Sequence, residues 1–253
     1  MIDKLILRVS NELGNQMFMY ASAYSISKKL NRKLYLDNET AFLSRKNVSK
    51  YGLNFLNISS PIAPDELKFK YILGYLKRKY FIKFDSLRKK KFFYIEKKDK
   101  YKKTQFSEDF FNQNYDHNLF LEGHFESEKY FEKYKDDIKK EFTLKNSYKI
   151  ENHPFYSKLN NKNSVSICLR QNRFIEGVGQ NTAENKTKSI NFVLEQINYI
   201  NKSAQIIKSK LSNPTFYLWS NDFKNIDKSK FNFHYEEINL EENNDIIDRR
   251  TTS

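Results

Sequence analysis

Residues 4 to 37 narrow the possible folds more than any other stretch. Lys4 to Ser10, K-L-I-L-R-V-S, is a short apolar run closed by a polar cluster at Asn11 to Asn15, which predicts a strand. Gln16 to Leu30 is rich in helix formers, with apolar residues at Met17, Phe18, Ala21 and Tyr24, and predicts a helix. Asn31 to Asp37, N-R-K-L-Y-L-D, turns and re-enters a strand at Lys33 to Leu36. Strand, helix and strand within about 35 residues make a crossover unit, which implies a parallel pair. The chain is therefore expected to be α/β.

The alternation returns later. Asn118 to Leu121 reads as a short buried strand, and Ser127 starts a helix expected to run to about Phe142. Ser147 to Lys162 turns to Asn, Lys, Ser, His and Pro, which marks a domain boundary. Beyond it come a strand at Ser164 to Leu169, a long helix at Lys188 to Leu211, a strand at Thr215 to Trp219 and a third at Phe231 to Ile238. The expectation is an α/β lobe over 1–150 and a partial Rossmann-like lobe over 160–253. A complete second lobe would need five or six parallel strands, and about three fit. Residues 40 to 120 are not resolved by pattern, because Pro61 and Pro64 interrupt it and the basic stretch mixes helix and strand signals.

Composition supports a globular protein, with 39% hydrophobic and 16% aromatic residues among 253. Cys168 is the single cysteine, which excludes an intramolecular disulfide and a Cys-rich zinc site and points to a reducing compartment. The first apolar run is too short for a signal peptide and no 18 apolar residues run together, so a soluble, cytosolic protein is expected. The net charge is +14, and Lys68 to Lys103 alone holds fifteen Lys or Arg against three acids. Phe69, Tyr71, Tyr75, Tyr80, Phe81 and others are interleaved there. Such a stretch suits a solvated lysine face with inward aromatics, an anionic bilayer surface, or single-stranded nucleic acid.

In an open parallel sheet, ligands bind beyond the carboxyl ends of the strands. That rule selects Asn11 to Gln16, Arg170 to Gln180 and Ser220 to Asp222. A guanidinium stays charged at any working pH and matches two phosphate oxygens, so Arg170 is a candidate diphosphate clamp, with a surface salt bridge as the alternative. Gly14 is read as the tight turn from strand to helix, and Asn15 and Gln16 as first-turn residues near free N–H groups. The phosphate-loop, G-x-G-x-x-G and G-x-S-x-G motifs are all missing. His117, His124, His153 and His234 are scattered, and no D-x-D pair stands at a strand end, so no metal site is expected. A sugar nucleotide would then be neutralised by arginine and a helix terminus.

At these residues the sequence resembles glycosyltransferase family 11, the α-1,2-fucosyltransferases. The likeness is carried by L-G-N-Q-M-F-M-Y-A at 13 to 21, L-E-G-H-F-E-S-E-K-Y-F at 121 to 131 and F-Y-L-W-S-N-D at 216 to 222. The family's H-x-R-R-x-D motif stands here as C-L-R-Q-N-R at 168 to 173, keeping Arg170 but replacing the His with Cys168 and the second Arg with Gln171. The family's nucleotide-binding C-terminal segment should begin near Asn244 to Asp248, where this sequence runs N-D-I-I-D-R-R-T-T-S, so a C-terminal truncation is expected, with an inactive remnant as the rival reading. The resemblance implies a GT-B fold, two Rossmann-like lobes with a central cleft, and metal-independent, inverting transfer of L-fucose from GDP-β-L-fucose to the 2-hydroxyl of a galactoside. It implies Arg170 as charge stabiliser, Asn15 as positioning donor, and Glu12 or Glu126 as base. It further implies Gly14, Gln16, Arg173, Ser220, Asn221 and Asp222 toward the donor, and His124 with Glu126 on the acceptor side. A lipid-linked surface-glycan acceptor would give residues 68–103 a use at the anionic inner leaflet, leaving no role for nucleic acid.

Overall fold

The computed structural model describes residues 2–43, 50–97, 105–145, 155–177 and 179–238. The chain divides into two compact units, Met1–Tyr148 and Lys149–Thr252. His153, residues 98–104 of the basic stretch and the C-terminal segment from 239 onward lie outside the described residues.

The first unit is built on a four-stranded parallel sheet of β1 (Lys4–Arg8), β2 (Lys33–Asp37), β3 (Lys91–Ile95) and β4 (Tyr115–Glu122), in the order β2-β1-β4-β3. Leu5, Ile6 and Leu7 of the inner strand β1 are all buried, as expected where helices and loops cover both faces. One face packs on α1 (Leu13–Lys29): Leu5, Leu7, Leu119 and Leu121 meet Met19, Tyr20, Ala23 and Ile26, with Phe125 and Tyr130 closing the layer. On the other face Ile6 packs with Ala63 and Leu67, and Phe69, Phe93 and Phe120 stack at centroid distances of 4.8 to 5.8 Å. The outer edge of β2 is covered by Pro61–Ala63: Leu36 N–H donates to the Pro61 carbonyl and Ala63 N–H to the Leu36 carbonyl. Two more helices complete the unit, α2 (Tyr71–Asp85) before β3 and the short α3 (Lys135–Glu141).

The second unit holds a three-stranded parallel sheet, β5 (Ser164–Leu169), β6 (Thr215–Ser220) and β7 (Glu236–Glu237), in that order. The single turn α4 (Tyr156–Leu159) precedes β5, and the 28-residue α5 (Ala183–Lys210) joins β5 to β6. Leu169 and Leu218 pack against Ile197 and Ile200 of α5, with Ile226 beside them.

Four expectations are corrected in detail. Helix α1 begins at Leu13, so Gly14 lies inside it. Helix α5 begins five residues early, because the Thr182 hydroxyl caps it by accepting the Asn185 N–H at 3.2 Å. The helix expected from Ser127 to Phe142 is broken into 3-10 turns at Glu128–Tyr130 and Glu132–Tyr134 before α3. Tyr130 is buried edge-on against Phe125 and its hydroxyl accepts the Ser107 N–H at 3.1 Å, which pins the chain where a continuous helix would carry it outward. The strand expected over Phe231 to Ile238 contracts to two residues.

Several tyrosines of the first unit are held out of water. Burial raises the phenols of Tyr20 and Tyr115, and pushes Tyr51 and Tyr94 up to about 12. Below the unfolded-state tyrosine value of about 10 both states keep their phenol protons and this contribution is fully present. As pH rises past that value the unfolded chain loses protons first, so stability falls. The urea midpoint is expected to drop steadily between about pH 10 and 12, with tyrosinate absorbance from these residues rising only as the unit unfolds. A midpoint constant across that window would contradict the assignment.

Candidate functional site

The carboxyl ends of β1 and β4 bring the first two motifs together. Leu7 of β1 pairs with Leu121 of β4, so both chains leave the sheet at one level. Asn11 follows β1 in a left-handed conformation, φ 64°, which asparagine tolerates because its short polar side chain can bond locally. The Asn11 Nδ2 lies 2.7 Å from Nε2 of His124. With Asn11 donating, Nε2 is the acceptor and the ring proton sits on Nδ1, 3.5 Å from the Glu126 Oε1. Asn15, in the first turn of α1, donates to the same Glu126 oxygen at 3.1 Å. The side chains of His124 and Glu126 are 33% and 48% exposed, so an incoming hydroxyl can reach them. Glu12 occupies the N-cap position of α1, where its carbonyl accepts the Gln16 N–H.

Two buried polar groups hold these loops. Gln16, expected near the donor, is fully buried: its Nε2 donates to the carbonyls of Asn11 and Lys50, and its Oε1 accepts the Gly52 N–H at 2.8 Å. Its amide braces the loop backbone and has no face toward a ligand. Glu96 accepts the N–H groups of His124 and Phe125 at 2.8 and 2.9 Å, fixing the turn between β4 and the 3-10 segment. Phe125 takes φ 52° there and is anchored in the core with no exposed area.

A charged group at the same strand ends was missed in the sequence. Arg8 closes β1 beside Asp37 of β2. Burial lowers its pKa, opposed chiefly by the charge of Glu122, and its Nε has no hydrogen-bond partner among the described residues. Glu122 is paired with Arg78 of α2 through both guanidinium branches, Nε to Oε1 at 2.7 Å and Nη2 to Oε2. The signal was present, since Arg8 interrupts an otherwise apolar strand at its carboxyl end.

In the second unit the loops after β5 and β6 are laced together. Asn221 accepts the Gln171 N–H through Oδ1 at 2.7 Å and donates to the Gln171 carbonyl through Nδ2 at 3.2 Å. The Asp222 carboxylate accepts from Asn225, the Lys224 N–H and Asn172, and these bonds, with Asn225 first, hold its pKa down. The Ser220 hydroxyl donates to the Asp222 carbonyl. These three residues, expected at the nucleotide, form the brace of the loop. Arg170 is exposed and pairs with Glu176 at 2.5 Å, while its backbone is bracketed by the Gln196 amide of α5. Arg173 is not brought to the same group: its guanidinium lies 5.0 Å from the Phe192 ring centroid. Beside the loops opens a cavity of about 610 Å³, lined among others by Asn172, Lys186, Ser189, Asp227 and Lys230. Among the described residues no cluster of three or more His, Cys, Asp or Glu is placed to hold a metal ion.

No family model matches the chain, and no curated protein matches it at a significant level. Among solved structures it is similar to NodZ α-1,6-fucosyltransferase soaked with GDP-fucose, at 12% identity and a TM-score of 0.47, over 94% of this chain and 78% of that one. It is similar also to the fucosyltransferase NodZ from Bradyrhizobium, at the same identity and TM-score, over 95% and 80%.

The glycines of the two motifs separate cleanly. Gly14 is helical, its φ is not positive, and a Cβ there meets nothing within 4 Å. At Gly123 a Cβ would overlap the Cβ of Glu96 and lie 2.8 Å from its Oε2. Gly14→Ala should leave stability unchanged or raise it by up to about 1 kcal/mol, whereas Gly123→Ala should cost about 1–3 kcal/mol. Urea denaturation of the two variants checks the order, and the reverse order would refute it.

Proposed function

We propose that this chain transfers L-fucose from GDP-β-L-fucose to the 2-hydroxyl of a galactoside, with inversion at the anomeric carbon and without a metal ion. The observation that carries the reading is the convergence of the two most family-like motifs, Asn11 meeting His124 and Asn15 meeting Glu126 at one end of the first sheet. Residues 113 and 111 apart in sequence meet there through polar side chains, as substrate-handling groups must.

The acceptor role falls to the first unit and the donor role to the second. The acceptor hydroxyl attacks the anomeric carbon opposite the diphosphate, the carbon–oxygen bond to GDP breaks, and GDP leaves with the electron pair. Glu126 takes the hydroxyl proton, with His124 and Asn15 orienting the carboxylate, and Glu12 is the second candidate for that proton. Arg170 stabilises charge on the leaving diphosphate, exchanging Glu176 for phosphate oxygens as GDP-fucose binds. Asn221 and Asp222 shape the nucleotide loop through its backbone, and Gly14 leaves room at the positive end of α1 for a hydroxyl-rich ligand.

Purified protein with GDP-fucose and lactose should form a fucosylated product and free GDP, at a rate unchanged by a chelator. Glu126→Gln should lower kcat by roughly 10²–10⁴-fold with little change in KM for GDP-fucose. Arg170→Ala should raise that KM and abolish the rise in melting temperature produced by GDP. Absence of both transfer and GDP stabilisation in the unaltered chain would overturn the reading.

A further inference from the structure

Helix α2 presents its more regular apolar stripe outward. The inner stripe is Gly74, Arg78, Phe81 and Asp85. Tyr71 starts the helix at φ 57°, and Gly74 sits where a Cβ would come within 2.5 Å of the Phe69 backbone, so the first turn lies flat on the preceding chain. Arg78 reaches Glu122, Phe81 stacks on Phe92 at 5.3 Å, and Asp85 accepts the N–H groups of Phe92 and Phe93. The outer stripe, Leu73, Leu76, Tyr80 and Phe84, with Leu87 just beyond, repeats at helical spacing. Ile72, Leu73 and Leu87 are 78%, 81% and 80% exposed.

The charge around this stripe has one sign. Residues 71–90 contain seven Lys or Arg and one acid, Asp85, which is buried on the inner stripe. Among the described residues none of Lys77, Lys79, Lys83, Lys89 and Lys90 has a carboxylate within ion-pair distance. The ammonium groups of Lys77, Lys79 and Lys83 lie over the rings of Phe81, Tyr75 and Phe84, at 5.6, 4.6 and 5.7 Å from the ring centroids. The three cations thus lie against aromatic faces, as long basic side chains do where apolar surface meets a polar layer. Of the aromatics expected to turn inward, Phe69, Phe93 and Tyr94 do so, whereas Tyr71, Tyr75, Tyr80 and Phe84 are exposed.

We propose that α2 docks the protein on an anionic lipid bilayer, lying in the plane of the interface. Leu73, Leu76, Tyr80 and Leu87 enter the acyl boundary, and Lys77, Lys79, Lys83, Lys89 and Lys90 meet lipid phosphates. A second copy of the chain is a poor occupant, because two such faces would bring like charges together without acids to answer them. Nucleic acid is a poorer occupant, since Ile72, Leu73, Leu76 and Leu87 set a continuous aliphatic surface, with no ring for a base, beside the exposed rings of Tyr71, Tyr75 and Tyr80. Among the described residues no helix is long and apolar enough to cross a membrane, so the contact is one of surface docking.

Flotation of the full chain with vesicles tests this without any sugar nucleotide, so its outcome is separate from that of the transfer assay. The protein should float with phosphatidylcholine vesicles containing phosphatidylglycerol, much less with phosphatidylcholine alone, and less as salt rises. Replacing Lys77, Lys79 and Lys83 with Ser should lower the partition coefficient roughly a hundredfold, at about 1 kcal/mol for each basic residue. Leu73→Ser with Leu76→Ser should lower it as well, with circular dichroism and melting temperature unchanged because both side chains face outward. Failure to float with the anionic vesicles, or flotation indifferent to both sets of substitutions, would overturn the proposal. So would a concentration-dependent dimer dissolved by the leucine substitutions, or a single-stranded oligonucleotide that displaces the vesicles.

Discussion

The parallel register of β1 against β4 sets the position of everything at the polar end of the first unit. Because Leu7 faces Leu121, the two strands stop level, and the loops that follow have no choice but to run side by side. Sheet pairing alone would leave those loops free to vary. They are held by two buried side chains, Gln16 and Glu96, each satisfying backbone groups of a loop that is not its own. A buried amide or carboxylate left without partners is costly, at about 1–3 kcal/mol for each unmet group, so few arrangements of these loops survive. Asn11, Asn15, His124 and Glu126 inherit that definition.

The second unit solves the same problem with the same kind of part. Asn221 on one strand-end loop takes both the N–H and the carbonyl of Gln171 on the other, as an adjacent strand would. Each sheet thus carries an amide side chain that acts as a piece of backbone, stitching neighbouring loops where the ladder has ended. Arg170, by contrast, has its backbone fixed by Gln196 while its guanidinium remains at the surface with one exchangeable partner. A fixed backbone with an exposed guanidinium is compatible with the diphosphate role proposed for Arg170.

The strands β1, β2, β5 and β6 and the helices α1 and α5 were legible, since short apolar runs closed by polar clusters mark buried strands and longer stretches of helix formers mark the helices between them. Helix α2 was not, because its buried stripe includes a glycine, an arginine and an aspartate while its apolar stripe faces outward, the opposite of the usual pattern. Gly14 misled for a related reason. A glycine in a glycine-poor chain invites a turn, yet asparagine also tolerates positive φ, and Asn11 took that place. Nothing in the sequence separates an amide aimed at an exposed side chain from one aimed at backbone, so Asn15 and Gln16 looked alike until burial and hydrogen bonding distinguished them. His124 and Glu126 were marked by the motif that holds them, but their meeting with Asn11 and Asn15 depends on strand order, which no local pattern encodes.

The length of α5 decides more than it first suggests. Gln196 grips the residue just past the end of β5, so it marks where the helix crosses the rim of the sheet. The thirteen residues from Ala183 to Glu195 then extend about 20 Å beyond that rim. They form one wall of the second unit's cavity, held at Ser189 by the Phe174 N–H, while Ile200 and Ala204 behind them belong to the core alone. Cavity lining and core overlap at Val193 and Ile197, so one helix serves both. Re-lining the exposed start of the helix, around Lys186, would retune what the cavity accepts, whereas a change at Val193 or Ile197 would reach the sheet as well.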